Sequence, residues 1–432
     1  MVNKRKKINP WLFIYGVGAD GFASLSTRDQ QGLARCERLF TSARLRASLP
    51  PALQAITEVW RRPIQESIRH ILARAGSKVG VLASGDPLSY GIGVQLVQQV
   101  PAHALRIIPA VGAFSLVAAR MAWPLAHTVS LSLHHGNPAR IIPVLAPGRQ
   151  IIALTRDATT PAQVAGHLIA AGYGASRLVV WNDLGTAKER AVRGRAQTWA
   201  QKKPAPKISP LNTMAIECRR DDRPARASRV SLPPILGMTG GLPDEAFVHD
   251  GTMTKQAMRA VALARLAPLP GTVLWDIGAG CGSVAVEWCR LVRGAGTLGA
   301  TAAAVAIEPR ADRRAMIKAN IDALVGDGVE IIAAPAPAAL KGLPPPDAVF
   351  VGGGVALDGV IETAMTSLRS GGRLVAHAVT LAGQQRLMAC YDQHGGRLEQ
   401  FAQAAARPVG GLSALAPRMI VWHWAWEKPS SR

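Results

Sequence analysis

Acidic residues are scarce in this chain: 28 Asp and Glu stand against 50 Lys and Arg, a formal net charge of +22. A surplus of that size suits an anionic partner, either nucleic acid or a small molecule with many carboxylates. Aromatic residues make up only 5%. The arginines are dispersed and no long basic block occurs, which argues against nucleic acid. Cysteines are also few, five in 432 residues, at positions 36, 218, 281, 289 and 390. No C-x-x-C pair occurs, so neither a zinc site nor a disulfide framework is indicated, and no metal is expected. No apolar stretch reaches the ~18 residues that a membrane span needs. The basic start, MVNKRKKINP, runs into a glycine loop and not into a signal-peptide apolar core with a cleavage site. The expectation is a soluble cytoplasmic protein with no membrane partner.

What the chain does have is length, apolar content and glycine loops. Its 432 residues and 48% hydrophobic content suffice for about two or three domains with cores of their own. The segment VLWDIGAGCGS (273–283) is the strongest local signal. It predicts a strand, a turn with Gly278, Gly280 and Gly282 alternating, and a helix from about Ser283. Glycine permits a tight bend and close approach of a ligand to the backbone. The helix start behind the turn offers free N–H groups and the positive end of the helix dipole. Asp276 stands two residues before the first glycine. The spacing is G-x-G-x-G, not the G-x-G-x-x-G of a dinucleotide site. VAIE (305–308) then predicts a second parallel strand ending in Glu308, where a carboxylate can reach ribose hydroxyls. DAVFV (347–351) and LRSGGRLV (368–375) supply two further strands, the second after a Gly-Gly turn.

Taken in order, the first half alternates strands and loops. Strands are expected at 11–18, 78–83, 105–108, 128–133, 150–155, 177–181 and 211–217, and helices over 26–40, capped by Ser26 or Thr27, and over 161–171. Residues 219–235 are polar, charged and proline-bearing and read as a linker. The second half has an amphipathic helix over 254–266, a helix over 309–324, a strand over 329–333 and a closing strand over 419–426. The Gly/Ala tract 294–304 reads as a surface loop. The domains expected are therefore 10–218 and 236–428.

The loops of the first half resemble those of the tetrapyrrole methylases. The resemblance is carried by GVGADG (16–21), ASGDPLSYGIG (83–93), PAVGAFS (109–115), SLHHGN (132–137), LTRD (154–157), NDLG with ER (182–185, 189–190) and LNTMAIE (211–217). The second half resembles class I S-adenosylmethionine (SAM) methyltransferases. Its PDEAFVHDGTMTK (243–255), WDIGAGCGSVAVEW (275–288) and PPPDAVFVGGG (344–354) are similar to the decarboxylating C15-methylase module of cobalamin synthesis. The order of the two modules resembles the fused C5,15-methyltransferases of that pathway. The resemblance implies an α/β chain: an N-terminal tetrapyrrole methylase (class III SAM methyltransferase) fold and a C-terminal Rossmann-like class I fold. It implies one SAM site per domain and a precorrin substrate, with C5 methylation in the first module and C15 methylation with decarboxylation in the second. It also implies oligomers for the second module, so that a homotetramer is expected. A precorrin carries many carboxylates, which the basic charge suits; a basic RNA-binding scaffold of the same fold, or a chain with only one active module, is the alternative.

The same resemblance assigns residues. In the second module Gly278, Ala279, Gly280, Cys281 and Gly282 are expected to line SAM, Glu308 to accept from its ribose, and Thr254 and Ala336 to contact it, with an N-cap as the second reading of Thr254. Pro335 stands where the family has an acid in G-D-A-P. His377 and Ala382 replace polar family positions; His377 is either a catalytic substitute or a packed strand-end histidine. His249 and Asp250 are candidates for the tetrapyrrole or decarboxylation site, and Lys255 and Arg259 for meeting carboxylate arms. In the first module Gly85, Asp86, Pro87, Ser115 and Ala215 are expected at SAM, and His135 is a catalytic candidate. H-H-G-N replaces the family's H-G-R there. Cys281 is expected to be a small tolerated side chain and not a nucleophile.

Overall fold

The computed structural model describes residues 10–201, 207–221, 236–294 and 303–430. The expected linker from 222 on, and the Gly/Ala tract from 295 to 302, lie outside the described residues. The chain separates into two compact units. One holds Met1–His135, Gly148–Ala162 and Ser176–Cys218; the other holds Gly136–Pro147, Gln163–Ala175 and Arg219–Arg432.

The first unit contains two five-stranded sheets. In one, Thr57–Val59, Arg38–Thr41, Val79–Ser84, Leu12–Val17 and Leu105–Ile108 lie side by side, all parallel. The central strands Val79–Ser84 and Leu12–Val17 are short apolar runs buried over most of their length, as parallel strands inside a sheet require. The second sheet runs Val129–Ser132, Gln150–Leu154, Asn212–Glu217, Arg177–Asn182, Arg190–Arg195, with only its first pair parallel. The helix expected over 26–40 spans only Thr27–Ala34. Ser26 caps it, its hydroxyl accepting from the Asp29 N–H, and the chain then turns into the Arg38–Thr41 strand, whose Leu39, Phe40 and Thr41 are buried.

The second unit is built on a seven-stranded sheet in the order Val329–Ile332, Ala303–Ile307, Val273–Ile277, Ala348–Val351, Arg373–Ala378, Val421–Glu427, Arg397–Phe401. The first five are parallel and the last two antiparallel to their neighbours. This is the Rossmann-like class I arrangement. Strand order reverses beside Val273–Ile277, and ligands of such sheets bind beyond the strand carboxyl ends at that point. One face is covered by the Ser283–Gly294 helix, whose Val284, Ala285, Trp288 and Cys289 are buried. A two-stranded ribbon, Ala404–Val409 with Leu412–Pro417, stands outside the sheet. Among the described residues no helix is long and apolar enough to cross a membrane.

Candidate active sites

In the second unit the site grows from one turn. The Val273–Ile277 strand ends at Gly278, and Gly278, Gly280 and Gly282 have φ of 68°, 59° and 75°. A Cβ at Gly278 would stand 2.7 Å from both N and Cα of Gly353, the second glycine after the adjacent Ala348–Val351 strand. A Cβ at Gly282 would meet Ile317 at 2.9 Å. Two backbone turns therefore close on each other with no room for side chains. Glu308, 3% exposed, reaches back over the turn: Oε2 accepts from the Gly280 N–H at 2.9 Å and Oε1 from the Arg310 N–H at 3.0 Å. Each carboxylate oxygen has a second lone pair, the capacity that two vicinal ribose hydroxyls require. The cradle and the acid thus fit an adenosyl ligand. Asp276 lies beneath, accepting from the Ala285 N–H at 3.0 Å in the first turn of the following helix. Burial pushes its carboxyl up to about 7, against that hydrogen bond. Cys281 is buried and its thiol pKa is raised by desolvation, so it is a neutral packing group beside Gly280.

The segment before the Gln256–Leu266 helix is held by Arg259, Glu287 and Asn320, of which the sequence pointed only to Arg259. Arg259, read as a cation for substrate carboxylates, has no exposed surface. Its Nε donates to Glu287 Oε1 at 2.5 Å, one Nη to Asp244 at 3.1 Å and to the Thr254 carbonyl at 2.5 Å, and the other Nη to the Leu242 carbonyl. Glu287, itself 1% exposed, also accepts from the N–H groups of Gly241 and Leu242. Breaking such a buried pair costs about 3–5 kcal/mol, because the surviving charge has no water to turn to. Asn320 does similar work. Its amide donates to the carbonyls of Val248 (3.0 Å) and Cys281 (2.9 Å) and its oxygen accepts from the Val248 N–H (2.8 Å), joining that segment to the glycine turn. A signal for Asn320 existed: it shares a buried stripe with Ile317, Ile321 and Leu324, where a polar residue demands a partner.

Between these anchors, His249 Nδ1 accepts from the Gly251 N–H at 2.9 Å. Asp250 accepts from the Thr252 N–H and pairs with Arg313 at 2.9 Å. Those contacts, the backbone one first, hold its carboxyl below the usual range. The helix cap is Lys255, not Thr254; Lys255 makes no side-chain cap bond, and its ammonium donates to the Gly251 carbonyl. The Thr254 carbonyl serves Arg259 instead. Ala336, half-buried, packs its methyl against an apolar cluster. His377 is 7% exposed, with its Nε2 2.9 Å from Nδ1 of the fully buried His423 and its ring edge-on to Phe350. These surroundings suit the packed strand-end histidine, one of the two readings the sequence offers, catalysis being the other.

In the first unit three loops meet beyond the parallel strands. A Cβ at Gly16 would strike the Ala110 nitrogen at 2.7 Å and the Gly85 carbonyl at 2.8 Å. Gly85 (φ +68°) donates to the Val17 carbonyl at 2.8 Å. Asp86 Oδ1 accepts from the Leu88 N–H at 2.8 Å, the turn-forming contact expected of it. The Pro87 carbonyl fills the space that side chains at Gly91 and Gly93 would need. The fourth loop arrives with Gly185, whose Cβ position is 3.1 Å from the Ala19 methyl. Glu189 fixes it, accepting from the Gly185 N–H at 2.6 Å and from Arg120 on the Ala113–Met121 helix at 2.5 and 2.8 Å. Those bonds, Arg120 first, keep the Glu189 carboxyl below its ordinary range.

Ser115 is exposed on the first turn of that helix, whereas Ala215 is wholly buried under it, packed with Phe114 and Val117. The Ala215 methyl is therefore a packing group beneath that helix. His135 follows the Val129–Ser132 strand on the second sheet, edge-on to His134 at 4.6 Å between centroids. Desolvation, then His134 and Arg156, hold its pKa below the usual value.

Residues 12–200 match the family model described as tetrapyrrole (corrin/porphyrin) methylases, and residues 245–428 the one described as precorrin methyltransferase domain. The chain is 37% identical over 422 residues to a precorrin-6Y C(5,15)-methyltransferase [decarboxylating] of Sinorhizobium sp, covering 98% of this chain and 97% of the relative. It is 34% identical over 418 residues to the Mycobacterium tuberculosis protein of the same name, covering 96% and 100%. A solved C-terminal domain of precorrin-6Y C5,15-methyltransferase from Rhodobacter capsulatus is 39% identical, covering 45% of this chain and 100% of that one, with a TM-score of 0.41. Nearly the whole length is thus shared, in the same domain order, and the chain belongs to the precorrin-6Y C5,15-methyltransferase (decarboxylating) family.

Proposed function

We propose that this chain methylates precorrin-6Y at C5 and C15 and removes CO2 from the ring C acetate, giving precorrin-8X in cobalamin synthesis. The observation that carries this is the end-to-end match of the chain, with its two domains in order, to relatives of that name. Domain 10–218 is assigned C5 methylation and domain 236–428 C15 methylation with decarboxylation, joined by the linker 219–235. SAM, one molecule per domain, supplies the methyl group as an electrophile.

The protein's part is chiefly alignment. Gly278–Gly282 give a backbone cradle, Glu308 takes the ribose hydroxyls, and Thr254 and Ala336 border the ligand. In the first domain Gly85, Asp86 and Pro87 shape the loop, with Ser115 and Ala215 completing the wall. The macrocycle carbon is itself the nucleophile, so no strong protein base is required. His249 is assigned to the substrate side of the C15 site because Asn320 and the Arg259–Glu287 pair fix its segment. His135 is assigned likewise at the C5 site. The net charge of +22 suits a polycarboxylate and helps steer it. The reaction is placed in the cytoplasm.

Mass spectrometry of the product from the chain, SAM and reduced precorrin-6 tests the assignment. Two methyls gained with one CO2 lost is the expected result. One methyl gained and no CO2 lost would confine activity to the first domain; an unchanged macrocycle, where a reference enzyme works, would overturn the proposal.

A homotetramer is proposed as well. Its support is the Ala404–Val409/Leu412–Pro417 ribbon, which carries Leu412 and Leu415 at 80% and 73% exposure. A lone two-stranded ribbon is marginal in water, and burial against another copy would cover it. Light scattering should give about four times the 45.6 kDa chain mass, and a 45.6 kDa particle would rule it out.

A further inference from the structure

The second unit contains a cavity of about 270 Å³ that the proposed chemistry does not use. None of the glycine-turn residues lines it. Its wall is mostly aliphatic, with Ile142, Leu145, Leu236 and Leu324 among the lining residues. Arg290 also lines it, from the Ser283–Gly294 helix. Arg290 is 4% exposed. One Nη donates to the Leu324 carbonyl at 3.4 Å and the other to the carbonyls of Leu236 (3.1 Å) and Gly237 (3.4 Å). Its Nε is buried with no hydrogen-bond partner among the described residues.

Among the described residues no carboxylate forms an ion pair with it. Glu287, three residues earlier on the same helix, is taken up by Arg259 and by two backbone N–H groups. Glu245 lines the cavity but is exposed. Burial lowers the Arg290 pKa to about 10, so the group stays charged at neutral pH. A buried cation is costly unless an anion accompanies it. Here the cation adjoins an apolar space large enough to hold one. Glu287 offsets part of the charge from a distance, and water could meet the idle N–H, but neither supplies a directly paired anion.

We propose that this cavity is a binding site for a small carboxylate with a compact apolar body. The carboxylate would pair with Arg290, whose planar fork matches it. The apolar body would lie against Ile142 and Leu145. A monoanion is favoured over a phosphate dianion, which costs more to desolvate and is repelled more strongly by Glu245.

Titration calorimetry on the full chain tests this, with benzoate as probe and benzyl alcohol as its neutral counterpart. Benzoate should bind at one site per chain, at least tenfold more tightly than the alcohol. Arg290→Met should abolish that preference. Should that variant not fold, Ala323→Trp decides. It alters an exposed helix position at the cavity's edge, and should weaken benzoate at least tenfold while leaving the methylated product unchanged. No benzoate binding, equal binding of the alcohol, or full benzoate affinity in the folded Ala323→Trp protein would each overturn the proposal.

Discussion

Gly278→Ala should remove C15 methylation and CO2 release while a single methyl is still added to the macrocycle. The new Cβ has nowhere to go. It would lie 2.7 Å from N and Cα and 2.8 Å from the carbonyl oxygen of Gly353, all backbone atoms that no rotamer change can move. Gly278 also sits at φ +68°, which costs an alanine about 1–2 kcal/mol. Conformation alone is therefore not the main effect; separation of the two facing turns is. Those turns bear the cradle, so binding of S-adenosylhomocysteine to the second domain should weaken by about 100-fold or more, roughly 3 kcal/mol. Calorimetry should pass from two sites to one.

Gly271→Ala separates the two causes. Gly271 has φ +81° and nothing within 4 Å of its Cβ position, so that variant carries the conformational cost without the collision. It should keep both products and both sites. Equal loss in the two variants would assign the effect to general destabilisation. Full C15 activity in Gly278→Ala would remove the glycine cradle from the mechanism.

The same turn was legible in the sequence because its determinants are local. Three alternating glycines, an apolar run on one side and a helix start on the other leave few backbone paths, and the observed φ values of Gly278, Gly280 and Gly282 follow. Glu308 was legible too, as the acid ending the next parallel strand. What surrounds the turn was not. Arg259 looked like an exposed helix cation because no acid on its own helix pairs with it; its main partner, Glu287, is 28 residues away on another helix. The helix expected over 26–40 fails for a related reason. Leu39 and Phe40 continue its apolar spacing, and four residues of strand cannot be told from a last helical turn by periodicity alone. Only pairing with Val79–Val81 and Thr57–Val59 makes Arg38–Thr41 a strand. The ribbon beginning at Ala404 lacks even an alternating pattern, since most of its residues on both strands are exposed.

Acidification should destabilise the second domain through His377 and His423. Their ring nitrogens lie 2.9 Å apart, so one must donate and the other accept, and two imidazolium ions cannot share that geometry. Phe350 and Phe401 pack edge-on around the pair. Burial, with His423 repulsion second, lowers His377 to about 3. Burial lowers His423 to about 4; Glu399 opposes that shift and Arg265 adds to it. The unfolded chain keeps both near 6.5. Lowered folded-state values mean that the unfolded state takes up protons first, so stability is full above about pH 6.5 and falls from there toward pH 4. At pH 5 each histidine lies about 1.5 units below its unfolded pKa, which costs about 2 kcal/mol apiece and about 4 together. Urea unfolding followed by tryptophan fluorescence at pH 7 and pH 5 should show that drop in wild type. His377→Leu/His423→Leu should have a drop smaller by the same amount, because nothing titratable remains at the pair. An equal drop in both proteins would place the acid-labile groups elsewhere. Retention of CO2 release by the folded double variant would also separate packing from catalysis at His377, since a buried leucine can fill the space beside Phe350 but cannot carry a proton.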